Sequence, residues 1–157
     1  MNSADTYVSP QPEQSQGGTA LDGTPGEWQF ILDYPRPPRG LHANDRTHYM
    51  VRAGAVADVR LEVMAKVRAL HIGVLERVSV QVVWVVATKT VRDEDGPDPF
   101  CKAIYDGIGS SSRGYSAHLV EDDDGAHMVK PRLTIRYEQG VHPHFEVNLT
   151  DLGGVIE

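Results

Sequence analysis

Residues 91–106, "VRDEDGPDPFCKAIYD", gather the side chains from which a cation site is built. Asp93, Glu94 and Asp95 precede a Gly-Pro turn and Asp98, and like charges this close repel at neutral pH. A solvated loop, a calcium loop and a cation site that does chemistry are the three uses to weigh. "DEDGPD" lacks both the Asp-x-Asp-x-Asp-Gly order and the position-twelve Glu of an EF-hand loop, which removes that form of the calcium reading. On the residues alone the solvated loop and the chemical site both stay open. Asp93 and Asp95 point to opposite sides of an extended chain, but a turn at Gly96-Pro97 can bring them together. A second acidic group follows at Asp122, Asp123 and Asp124. Carboxylates drawn from two such groups form a hard-oxygen site suited to Mg²⁺. Such an ion polarises a phosphodiester and activates water for in-line attack.

Lys102 lies four residues before Asp106, on the same face of a predicted helix. It can stabilise charge developing on a scissile phosphate, or it is a surface ion pair worth a few tenths of a kcal/mol. The start of that helix favours an anion, through its N–H groups and dipole. His142 and His144 have no third ligand nearby in sequence and read as surface residues, since closed metal sites need three or four ligands. Cys101, beside Phe100, reads as packing; as the only cysteine it excludes an internal disulfide and a thiolate zinc cluster.

The elements that must position these groups follow from periodicity. Trp28, Phe30 and Leu32 alternate with Gln29, Ile31 and Asp33 as a first strand, which the prolines of "YPRPPRG" (34–40) end. Residues 44–73 read as one long helix, with Val56, Val59, Val63, Val67 and Leu70 as its apolar face. Arg52, Arg60, Lys66 and Arg68 are expected largely off that face. Asn44 or Asp45 is expected to cap its start and Gly73 to end it, with a break possible at Gly54. "RVSVQVVWVVATK" (77–89) passes from alternation to a continuous apolar run, the pattern of a central strand, so Asp93 and Asp95 fall at its exit. A second helix begins at Asp98-Pro99, with Asp98 as N-cap and Phe100, Ala103, Ile104 and Ile108 buried. "GSSSRGYSA" (109–117) is a loop and "HLV" (118–120) a short strand before the second acidic group. Strands around 133–137 and 145–149 are expected to pair as a hairpin across "EQGVHP" (138–143). The order β-α-β-α-β-β-β predicts an α+β fold, a mixed sheet with two main helices packed on it. Residues 1–26, rich in Ser, Gly, Pro and Gln, predict a disordered tail ahead of a single domain over 27–157.

Hydrophobic content of 40% and charged content of 24% are ordinary for a globular chain. No membrane span or signal sequence is legible, so a cytoplasmic protein is expected. The net charge of −7 conceals a division: residues 34–92 carry +6 and residues 93–126 carry −7. A basic half beside an acidic cluster suits an enzyme that holds a polyanion over a metal, and also suits helices with solvated arginines.

Three blocks together resemble the RusA-type Holliday-junction resolvases, in particular those of phages of actinobacteria. "LHANDRTHY" (41–49) is similar to Leu-x-x-Asn-x-Arg-x-His-Trp. "RDEDGPDPFCKAIYDGI" (92–108) is similar to Arg-Asp-x-Asp-Asn-Leu-x-Pro-x-x-Lys-x-x-x-Asp-Gly-Leu. "LVEDDDGAHM" (119–128) is similar to Val-Val-Pro-Asp-Asp-x-Pro-x-x-Met. The resemblance spans residues 28–137. It implies a homodimeric Mg²⁺-dependent crossover junction endonuclease, with Mn²⁺ able to substitute, no organic cofactor, and four-way or branched DNA as substrate in a bacterial host. Asp93, Asp95 and Asp123 would be metal ligands with Asp122 adjacent, and Lys102 the catalytic lysine. Asn44, Arg46, His48, Arg52 and Arg92 would contact DNA. The chain departs from the pattern at Gly96, where Asn is expected, in a longer segment after Asp106 containing "SSSRGY", and in its acidic net charge.

Overall fold

The computed structural model describes residues 19–20 and 26–153. The sheet is organised by the apolar segment β3, Val78–Val86. Val78, Val80, Val82, Trp84 and Val86 share its inner face, and Val83 and Val85 are also buried, which places β3 inside the sheet rather than at its edge. On one side β3 runs antiparallel to β6, His144–Asp151, which in turn pairs antiparallel with β2, Glu27–Leu32. On its other side β3 is parallel to two short strands, β4 at Met128–Val129 and β5 at Thr134–Tyr137. β1, Thr19–Ala20, adds a short antiparallel edge to β2. The fold is thus α+β, a mixed six-stranded sheet carrying two helices. The expected tail falls outside the described residues, apart from β1 and Gly26, as do residues 154–157 of the expected domain. Among the described residues no helix is long and apolar enough to cross a membrane.

The hairpin expectation is overturned. β5 and β6 lie on opposite sides of β3, so the connection at 138–143 crosses the end of that strand, where the Glu138 amide donates to the Val86 carbonyl at 2.9 Å. Alternation showed two strands but carried no information about their partners. The strand expected at 118–120 is also absent: Leu119 and Val120 are buried in irregular chain, and the strand instead begins after the acidic group, at Met128.

The long helix is shorter than expected. α1 spans Tyr49–Ala69, and the His48 imidazole accepts the Met50 amide as its cap, in place of Asn44 or Asp45. It ends at Leu70, ahead of Gly73, with His71 at a positive φ of 56°. Gly54 lies within the uninterrupted helix. Val59, Val63 and Val67 are buried and Val56 and Leu70 half-buried against the core, the face read from the spacing. Arg60 departs from it, being only 7% exposed, because the chain after α2 folds over it. α2, Asp98–Ile108, buries Phe100, Ala103, Ile104 and Ile108. Asp98 occupies its first turn, but no side chain caps it and Pro97 stands at the cap position. The helices approach closely at Gly107, where a Cβ would lie 2.9 Å from the Val63 Cβ.

The aromatic side chains tie the segment between β2 and α1 to this core. Phe100 packs edge-on against Phe145 at 4.7 Å and against Tyr34 at 5.5 Å, while Trp84 stacks on Phe145 at 5.3 Å. The Trp84 indole N–H donates to the Pro35 carbonyl at 3.1 Å and the Tyr34 hydroxyl bonds Glu62 at 3.0 Å. The proline-rich stretch is thereby pinned beside the exit of β3.

Candidate functional site

The first acidic group is a tight turn. Asp93 accepts the Asp95 amide through Oδ1 at 2.9 Å and the Gly96 amide through its carbonyl at 3.2 Å. The Asp98 amide then donates to the Asp95 carbonyl at 3.1 Å, leading into α2. A bond from the Ala43 amide to the Gly96 carbonyl, at 2.8 Å, joins this turn to the segment ahead of α1. There the His42 ring lies directly on Gly96, and a Cβ on that residue would collide with the imidazole. Glycine at 96 therefore leaves room for the neighbouring histidine.

Asp93, Glu94 and Asp95 are exposed. Arg132 donates from Nη2 to Asp95 at 3.0 Å and lies 3.6 Å from Glu94. In the second group Asp123 is more enclosed, and Lys102 Nζ reaches it at 2.7 Å, with Lys130 at 3.4 Å. Lys102 also donates to Asp106 at 3.1 Å, so the expected helical pair exists but is only half of what the lysine does. Behind it the buried Arg60 guanidinium stands 4.0 Å from Asp106 and donates to the Tyr115 carbonyl at 2.8 Å. The segment containing "SSSRGY" thus forms a cover over Arg60, the base at the back of the Asp106–Lys102–Asp123 chain.

These contacts divide the titrations. Burial opposes ionisation of Asp123, but the hydrogen bond from Lys102 and the charges of Lys130 and Lys102 outweigh it and hold the carboxyl down at about 2. Burial dominates at Asp106 and pushes its carboxyl up despite Lys102. The bond to Asp123 holds the Lys102 ammonium above its ordinary value. Asp122 is turned to backbone, accepting the Ser111 and Asp123 amides at 3.0 and 2.9 Å, which lowers its carboxyl.

The two acidic groups meet the same stretch of chain. Val129 pairs with Ser79 and Thr134 with Val83, so five steps of this stretch run beside four of β3 and the chain is near extended. Lys130 holds Asp123 and Arg132, two residues on, holds Asp95. Two residues of extended chain cover roughly 7 Å. The oxygens match the hard donors that Mg²⁺ takes, yet Asp95 and Asp123 each face a protein cation. Among the described residues no three acidic, histidine or cysteine side chains converge as a metal-holding group.

The remaining candidates have local roles. His48 caps α1 and stacks on Tyr49 at 4.6 Å, and Arg52 donates to the Gly40 carbonyl at 2.9 Å. Asn44 and Arg46 are exposed just ahead of α1. Arg92 folds back on the exit of β3, donating to the Thr88 and Thr90 carbonyls at 3.0 and 2.9 Å, and lies over the Trp84 ring. His142 reaches Asp33 while His144 bonds the His142 carbonyl, so the pair does not form a shared site. Cys101 is buried, which pushes its thiol up to about 12. The residues that sequence reading missed are His42, Arg60, Lys130 and Arg132. For the last two a signal existed: they are the first bases after the second acidic group. No protein-family model matches the chain, and no curated protein matches it either.

Proposed function

We propose that this chain is a Mg²⁺-dependent, structure-selective DNA endonuclease of the RusA-like type, acting on four-way or branched DNA as a homodimer in phage recombination or replication. The observation that carries the reading is Lys102, which stands one turn into the helix following the first acidic group and contacts Asp123 of the second. A phosphodiester nuclease needs carboxylates for a metal and a fixed cation beside the scissile phosphate, and this contact puts the lysine among the carboxylates. Asp93, Asp95 and Asp123 would hold the ion, with Arg132 and Lys130 giving way. When bound, the ion supplies Lewis-acid polarisation of the phosphate. Lys102, held protonated by its two carboxylates, would offer its ammonium to developing negative charge.

A second reading is a junction-binding protein that retains this fold without cleavage. The pairing of Asp95 with Arg132, and the lack of a convergent metal-holding group among the described residues, favour it. One assay separates the two: a synthetic four-way junction is incubated with Mg²⁺ or Mn²⁺ and the protein, beside Asp95→Asn. Metal-dependent nicking that the substitution abolishes supports the nuclease. A junction bound but left intact across both titrations refutes catalysis and leaves the second reading.

A further inference from the structure

Beside the acidic turn lies a cleft of about 520 Å³ whose walls include Arg36, Arg39, Arg92, His42, Asp45 and Trp84. Three guanidinium groups face one carboxylate there, Asp45, so positive charge is in excess. Asp45 is committed to backbone, accepting the Gly40 amide at 2.7 Å and the His42 amide at 3.4 Å. Arg92 donates to carbonyls and to the Thr88 hydroxyl. Among the described residues none of the three arginines pairs with a carboxylate. Guanidinium groups gathered on one concave wall repel one another, and an anion relieves that repulsion. We infer that this cleft is a sequence-independent clamp for nucleic-acid backbone phosphate, seating the strand next to the acidic turn.

Three features suit a backbone phosphate in this cleft and exclude a stacked base. Arg36 and Arg39 extend from a segment stiffened by Pro35, Pro37 and Pro38, so less chain freedom is lost on binding. A guanidinium fork meets phosphate oxygens in a bidentate geometry. Trp84 is only 7% exposed, with Arg92 over its ring at 5.6 Å and Phe145 stacked on it, which leaves no open aromatic face for base stacking. The cleft is also continuous with the acidic turn, through His42 lying on Gly96 and Arg92 adjoining Asp93. The inference rests on the nucleic-acid reading of the chain but on neither metal nor cleavage, and its strand would continue from the cleft toward the carboxylates.

The test measures binding in EDTA, by fluorescence anisotropy of a labelled duplex and a labelled junction, over a range of salt concentrations. Each lost phosphate contact lowers the salt slope of log K by about 0.9. Arg36→Gln with Arg39→Gln therefore flattens the slope by about 1.8 and weakens binding about thirtyfold near 0.15 M salt. Lys66→Gln with Arg68→Gln, at the far end of α1, makes the same charge change away from the cleft and should alter both far less. Should the cleft variant fail to fold, the arginine side-chain NMR signals of the wild type report instead, and Arg36 and Arg39 Nε shift on adding the dinucleotide pTpT. An unchanged slope in the folded variant, an equal loss in the control pair, no DNA binding by the wild type, or competition by dTMP as effective as that by an oligonucleotide overturns the clamp. Binding that behaves as stated, with junctions left uncut in Mg²⁺, sinks only the endonuclease.

Discussion

Gly96→Ala tests how the acidic turn is held. The added methyl collides with the His42 imidazole, and the backbone at Gly96 is not in the left-handed region, so the effect is purely steric. Retreat of the turn is opposed by the 2.8 Å bond between the Gly96 carbonyl and the Ala43 amide. Relief comes by displacing the imidazole, which breaks the 3.2 Å bond from the Asn44 amide to His42 Nδ1. Losing that bond costs about 0.5–1.5 kcal/mol, and leaving a preferred rotamer costs a similar amount. Alanine also restricts the unfolded chain, which offsets about 0.4–1 kcal/mol. The net loss is about 0.5–2 kcal/mol. With His42→Ala already in place the collision is gone, and Gly96→Ala becomes stabilising by about 0.4–1 kcal/mol. The coupling energy is therefore about 1–3 kcal/mol, measured as a double-mutant cycle from urea unfolding followed by tryptophan fluorescence. Substitutions that add to within about 0.5 kcal/mol refute the contact and with it the reason for glycine at 96.

Three further outcomes follow from the charged groups. The folded-state carboxyl of Asp123 lies at about 2 against an ordinary 3.8, so its stabilisation is present above pH 3.8 and is lost as pH falls toward 2. Asp106, shifted upward, acts in the opposite sense: its ionised form costs stability above its raised pKa, and acidification toward 3.8 relieves that. Calorimetry between pH 3.8 and 2 should show Tm falling less steeply in Asp123→Asn than in the wild type; equal slopes exclude Asp123 as the titrating group. Arg132→Ala removes an exposed pair and should change stability by less than about 1 kcal/mol. If Arg132 competes with metal for Asp95, the same substitution tightens Mn²⁺ binding in a titration calorimeter, and unchanged affinity refutes the competition.

Much of the fold was legible because the main strands and helices announce themselves through their own neighbours. The alternation from Val78 and the apolar run that follows marked β3, and the spacing of Val59, Val63 and Val67 marked the buried face of α1. The boundaries were less legible: the cap is the His48 imidazole, outside the usual Ser, Thr, Asp and Asn set, and the helix begins several residues after Asn44. At the candidate site the carboxylates and Lys102 could be named from their types and spacing. Their partners could not, because Arg132 is 37 residues from Asp95 and Lys102 is 21 from Asp123.

What the sequence alone determined is the inward face of β2, β3, β6 and α2 and the valine face of α1, and that two acidic groups and one lysine lie near helix and strand ends. Burial follows a period of two or 3.6 along the chain, so a local pattern suffices to state it. Tertiary structure alone decided that β5 and β6 flank β3 instead of pairing, and that Arg60 is enclosed by the 109–117 segment. It alone also put His42 over Gly96 and left the arginines of the 36–39 stretch facing Arg92 across a cleft. Each of these is a contact between segments far apart in the chain, selected by how whole elements pack and how buried charges find partners, and no local periodicity encodes that choice.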